Sequence, residues 1–152
     1  MVSVARRALV LAVLLFWQGG FTFYGAVVVH VGQDVLGSHT RQGFVTQRVT
    51  EWLNLAGVVA LAVMLWNLWA VWPAKGRVVR WLLLATWIGM AALQAELFAL
   101  HPVMDRLLDA TAREVLDYDR FDALHRVYLL SSSAQWAAGV LHVWCVMAGQ
   151  FA

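Results

Sequence analysis

The sequence predicts an all-α integral membrane protein, a bundle of four spanning helices with a short amphipathic helix between the third and fourth. Three observations predict it. Of 152 residues, 62% are hydrophobic and only 13% charged, too few polar side chains to clothe a soluble domain of this size. The apolar residues fall into four stretches, each of which at 1.5 Å per residue can cross roughly 30 Å of hydrocarbon. The charged residues gather in the segments between those stretches.

The first span is expected over residues 8–29, with Gln18 as its strongly polar residue. Arg6 and Arg7 before an apolar run are also how a signal peptide begins. The run continues past the usual cleavage distance without a small-x-small site, which favours a retained span. Gly19, Gly20 and Gly25 would give flat patches for a neighbouring helix. Residues 31–47, with Gly32, Gly37, Ser38 and Gly43, read as a loop of turns.

The second span is expected over residues 52–71 and is entered through Arg48, Glu51 and Asn54. Arg48 and Glu51 are three apart and can pair on one helix face. Pro73 ends the span, because proline cannot continue a helix. The third span, 81–100, is broken only by Gln94 and Glu96. A carboxylate at that depth is costly, so Glu96 should face protein or a wet cleft. His101 and Pro102 follow, with Pro102 suited to a first helical turn. Met104, Leu107, Leu108, Thr111 and Val115 then repeat at helical spacing, which predicts a surface helix over 103–116. The fourth span is expected over 127–150.

Orientation follows from the basic residues. Arg6, Arg7, Lys75, Arg77 and Arg80 lie in short segments without acids, whereas the opposite segments mix six arginines with nine acids. Basic density beside the spans favours both termini in the cytoplasm of a bacterial inner membrane, with Trp66, Trp69, Trp72, Trp81 and Trp144 at that interface.

Four alternating spans would collect an unusual polar set on the other side: Arg48, Glu51, Asn54, Gln94, Glu96, His125, Arg126 and Tyr128. Ionisable residues at membrane depth mark functional sites by default, and Arg48 and Arg126 are the natural counter-charges for Glu51 and Glu96. His125, Tyr128, Ser132, Gln135, Gly139 and His142 repeat at spacings of three and four, a stripe that must face inward to find partners. Hydrogen bonding between helices is the alternative role for such a stripe. His30, His101 and His125 fall on the same side, as a copper, zinc or haem site would need, although no HxxxH or HxH spacing supports one.

Other chemistries find no footing. A single cysteine, Cys145, excludes an internal disulfide and CxxC chemistry. The serines at 131–133 lack a nucleophile elbow, and no HExxH or phosphate loop is present. The basic residues do not interleave with aromatics, so nucleic-acid binding has no support.

Trp17, Gly19, Gly20, Phe21, Phe23, Tyr24 and the valines 27–29, followed by a glycine-containing loop, resemble the start of a four-span membrane family of unknown function, the DUF4149 or TMEM205-like family. The His101-Pro102 pair before a charged segment is similar too. So is Phe121-x-x-Leu124-His125-Arg126 leading into a serine-containing last span. The resemblance implies a four-helix membrane bundle without an assigned activity, loosely akin to copper-resistance D-like proteins. It makes His125 the histidine that matches a family motif, whereas His30 stands where the family commonly has proline.

The expectation is therefore a non-enzymatic multi-pass protein without a cofactor, whose outward polar pocket takes a small solute, an ion or a partner. One alternative is a haem- or copper-binding redox protein using His101 and His125. Another is an accessory subunit within a larger membrane complex, and a homo-oligomer would fit as well.

Overall fold

The structure, a computed structural model, describes residues 2–109, 111–112 and 114–148. Helix α1 (Val2–Phe23) runs through a π-helical turn (Tyr24–Val28) into α2 (Val29–Leu36). Helix α3 (His39–Val71) is followed by a 3-10 turn (Trp72–Ala74) and α4 (Arg77–Asp105). Two-residue strands β1 (Leu108–Asp109) and β2 (Glu114–Val115) precede α5 (Tyr118–Ala148). The α1 rod packs on α3 and α5, and α4 packs on α3 and, most extensively, on α5.

Three rods are long and apolar enough to cross a membrane: Val4–Leu36, His39–Ala74 and Arg77–Asp105. Helix α5 is as long but carries Asp119, Arg120, Asp122 and Arg126 in its first turns. The distribution of polarity supports the membrane reading. Leu15, Phe16, Trp52, Trp69, Leu130 and Trp144 point outward, whereas Gln42, Asn54, Asn67, Gln94, Gln135 and His142 are buried. A soluble protein would not expose so many large apolar side chains, but a lipid-facing bundle does. Gln42, Asn54, Gln94 and Gln135 find hydrogen-bond partners inside it, whereas Asn67 Oδ1 and His142 Nε2 are buried without one among the described residues.

Two apolar clusters hold the rods together. Val10, Leu14 and Trp17 of α1 meet Ala60, Leu61 and Met64 of α3 and Met90 of α4. Nearer the Arg77 end, Leu68, Val71 and Leu83 pack with Cys145 and Val146. At that end Trp72 and Trp81 meet edge to face at 6.1 Å, and the Arg80 guanidinium lies 5.4 Å from the Trp72 ring centroid. Burial, and then the Arg7 charge, hold the Lys75 amine below its ordinary range, which puts the α1 start beside the α3–α4 connection.

The structure departs from the sequence reading at both connections on the other side. Residues 31–47 are not a loop. Helix α2 continues to Leu36, Gly37 takes the left-handed conformation (φ 60°) with its N–H on the Gln33 carbonyl, and Ser38 caps α3 by accepting from the Arg41 N–H at 3.3 Å. Only Gly37 uses glycine's freedom there, so Gly32 and Gly43 sit within helices.

The surface helix expected over 103–116 is also absent. Helix α4 runs on through Pro102, which sits in its last turns and not in the first turn of a new helix. The chain then turns as a hairpin pairing Leu108 with Val115 and Asp109 with Glu114. The Asp109 carboxylate accepts the Thr111 and Ala112 N–H groups at 2.8 and 2.9 Å, a local turn that competes with helix. Residues 110 and 113 of that expected helix lie outside the described residues, as do 149 and 150 of the expected fourth span.

Candidate functional site

The polar side chains form a ladder within the molecule and a cavity above it. In the ladder, Asn54 of α3 and Tyr128 of α5 are joined at 3.1 Å, with the Asn54 amide donating. The Gln94 amide of α4 donates to Asn54 Oδ1 at 3.3 Å, and the Gln135 amide of α5 donates to Gln94 Oε1 and to the Met90 carbonyl, both at 3.0 Å. Further along, Thr86 Oγ1 meets His142 Nδ1 at 2.8 Å. The α5 stripe is thus turned inward: Tyr128, Ser132, Gln135, Gly139 and His142 are all buried, and His125 is half-buried.

Close backbone approach makes this possible at Gly57, where a Cβ would collide with the Gln94 side chain and lie 2.9 Å from the Trp17 indole. The glycines singled out in the first span do less. Nothing lies within 4 Å of a Cβ at Gly19 or Gly25, and at Gly20 only Leu53 comes near, at 3.4 Å.

The cavity, of about 460 Å³, lies where the π-helical turn, α2, the start of α3, the end of α4 and the start of α5 come together. The π turn places the Tyr24 hydroxyl so that it donates to Thr46 Oγ1 at 2.9 Å and accepts from the Gln42 amide at 3.2 Å. Opposite, Asp105 Oδ2 lies 3.0 Å from His101 Nδ1, and the Gln47 amide donates to Asp105 Oδ1 at 2.8 Å. His101 Nε2 faces Thr50 Oγ1 at 3.2 Å and the Gln47 carbonyl at 3.4 Å. Phe21, Val29, Leu53, Met104 and Leu129 give the remaining wall an apolar character.

Comparison with known protein families, with curated proteins and with solved structures gives no match.

The pocket residues expected from sequence separate into two groups. Asn54, Gln94 and Tyr128 belong to the buried ladder, and Tyr128 and His125 also line the cavity. Glu51 is exposed and pairs with Arg48 at 3.3 Å, the pairing expected from their spacing. Arg126 turns to Asp122 one helical turn earlier, with Nε 3.0 Å from the carboxylate. Glu96 therefore gains no arginine counter-charge from it. Its carboxylate accepts from the Ser131 hydroxyl of α5 at 3.0 Å, so it reaches protein at the bundle's edge while the residue stays exposed, because Met90, Gln94 and Leu97 occupy the inward face of α4.

The histidines separate too. His30 is exposed on α2, and His125 stacks on Phe121 with ring centroids 5.9 Å apart. Among the described residues, the donor group compact enough for a metal ion is Glu51, His101 and Asp105, whose donor atoms all lie within 4.8 Å of one another. Asp105 and its Gln47 and Thr50 neighbours were missed from sequence. The signal was present: His101 and Asp105 are four apart, a helical pair once α4 is carried through Pro102.

Proposed function

We propose that the chain is a four-span, non-enzymatic membrane protein whose extracytoplasmic cavity binds a small amphiphilic solute. The observation that carries this is the cavity itself. Its volume of about 460 Å³ falls in the range of small-molecule sites, and its hydrogen-bonding side chains face an apolar wall. Such a lining suits a molecule with a polar head and a compact hydrocarbon body. On this reading α5 is the fourth span, with Tyr128, Gln135 and His142 Nδ1 of its inward polar stripe bonded to Asn54, Gln94 and Thr86. Arg6, Arg7, Lys75, Arg77 and Arg80 lie on the cytoplasmic side of a bacterial inner membrane, and the acid-rich connections lie on the other. Membership of the DUF4149-like four-span proteins fits the same reading, supported by the order of the motifs at 17–29, 101–102 and 121–126.

The test is extraction and mass analysis of small molecules from protein purified in mild detergent, with Leu53→Trp as the variant that fills the cavity. A small amphiphile should travel with the wild-type chain and be lost from the variant. A wild-type preparation that carries none, and is stabilised by none in a solute screen, would remove the proposal.

A further inference from the structure

We propose that Glu51, His101 and Asp105 form a binding site for a divalent transition-metal cation of the Zn²⁺ class. The argument begins with the ring of His101. Thr50 Oγ1 lies 2.9 Å from both the Thr46 and the Gln47 carbonyls, so its own hydrogen is directed into α3. Facing that oxygen and the Gln47 carbonyl, His101 Nε2 satisfies both in the tautomer that donates from Nε2. Nδ1 of the neutral ring then presents a lone pair, and the oxygen 3.0 Å from it is a carboxylate oxygen of Asp105. Two lone pairs at that distance require a positive charge between them, either a second ring proton or a cation.

The surroundings favour the cation. The Gln47 amide holds the other Asp105 oxygen at 2.8 Å, so both prospective ligands are oriented from behind by α3, as outer-shell groups orient the ligands of metal sites. Glu51 brings a third donor from α3, and all three donor atoms lie within 4.8 Å. Donors bound at about 2.0–2.2 Å stand a little over 3 Å apart in a tetrahedral site, so side-chain adjustments suffice to close this one. Two carboxylates and a neutral imidazole carry the charge that balances a divalent ion. An imidazole nitrogen beside carboxylates selects zinc-like ions over magnesium or calcium. Arg48, 3.3 Å from Glu51, is the cation to be displaced, and its side chain is 77% exposed and free to swing away. Because His101 and Asp105 line the cavity, a water or cavity ligand would complete the coordination.

This site stands whether or not the cavity holds an organic solute, and the experiment separates the two. Wild-type protein in detergent, stripped with chelator, is titrated with Zn²⁺ by calorimetry and with Co²⁺ by visible absorption. Leu53→Trp is titrated in parallel. The expected result is one ion per chain, a Co²⁺ spectrum of low coordination number, and binding retained in Leu53→Trp. Asp105→Asn and Glu51→Gln should each weaken binding by at least about 10-fold, the lower end of what loss of even an outer-shell group costs. Absence of saturable binding by the wild-type chain overturns the proposal. So does unchanged affinity in Glu51→Gln, whose exposed side chain can be altered without threatening the fold.

Discussion

Gln94 and Asn54 face each other across the buried α3–α4 contact at 3.3 Å, each also bonded to a partner on α5. The three helices are thereby joined by side-chain amides at a level where lipid offers no alternative partner. Interhelical hydrogen bonds in membranes are worth about 0.6 kcal/mol on average and up to about 1.7. Gln94→Leu breaks the links on both sides and should lower stability by about 1–2 kcal/mol, read as a fall in the unfolding midpoint in detergent. Glu96→Gln, exposed and able to keep its Ser131 bond, should stay within about 0.5 kcal/mol.

Gly57→Ala should be harmful and Gly19→Ala harmless, although both sit within long helices. The added methyl at 57 meets the Trp17 ring and Gln94. Overpacking of that kind costs about 1–3 kcal/mol. At 19 the methyl enters open space, and helix propensity favours it by up to about 1 kcal/mol. Thermal unfolding of the two variants side by side decides the matter.

The hairpin between α4 and α5 should depend on the charge of Asp109. The Ala112 and Thr111 N–H groups hold its carboxyl below the ordinary value of 3.8. A carboxyl pKa depressed on folding adds stability above the unfolded value, and that contribution is lost as pH falls through the folded one. Amide exchange at residues 111 and 112 should therefore show protection independent of pH from neutrality down to about 5 once intrinsic rates are removed. It should decline at more acid pH, and be weak throughout in Asp109→Ala.

Topology is open to direct measurement. In a Cys145→Ala background, Ser38→Cys and Ala112→Cys should react with an impermeant maleimide from one side of intact cells, and Gly76→Cys only after permeabilisation. Residues 38 and 112 labelling from opposite sides would refute the four-span arrangement.

Much of this architecture was legible because hydrophobic run length reports directly on spanning helices. The inward direction of the α5 stripe was legible as well, since polar residues repeating at three and four must share a face. Connections were harder. Gly37 is the one glycine in the 31–47 stretch that uses a positive φ, and composition alone does not distinguish it from Gly32 or Gly43. Pro102 reads as a helix start, and its place near the end of α4 is what aligns His101 with Asp105. The fate of Arg126 was decided by Asp122, a closer helical neighbour than any acid on another span.

The two-residue joint at Gly37 and Ser38 has a geometric outcome. Rods of 33 and 36 residues meet there, each roughly 50 Å long at 1.5 Å per residue, against a hydrocarbon slab of roughly 30 Å. In the proposed membrane placement, tilt and protrusion share the surplus, and the uncharged reach of α1 beside the basic end would put the protruding part at the Gly37 tip. Molecules arriving at the chamber beneath that tip would come through the lipid headgroups or from the aqueous phase, without first dissolving in the acyl chains.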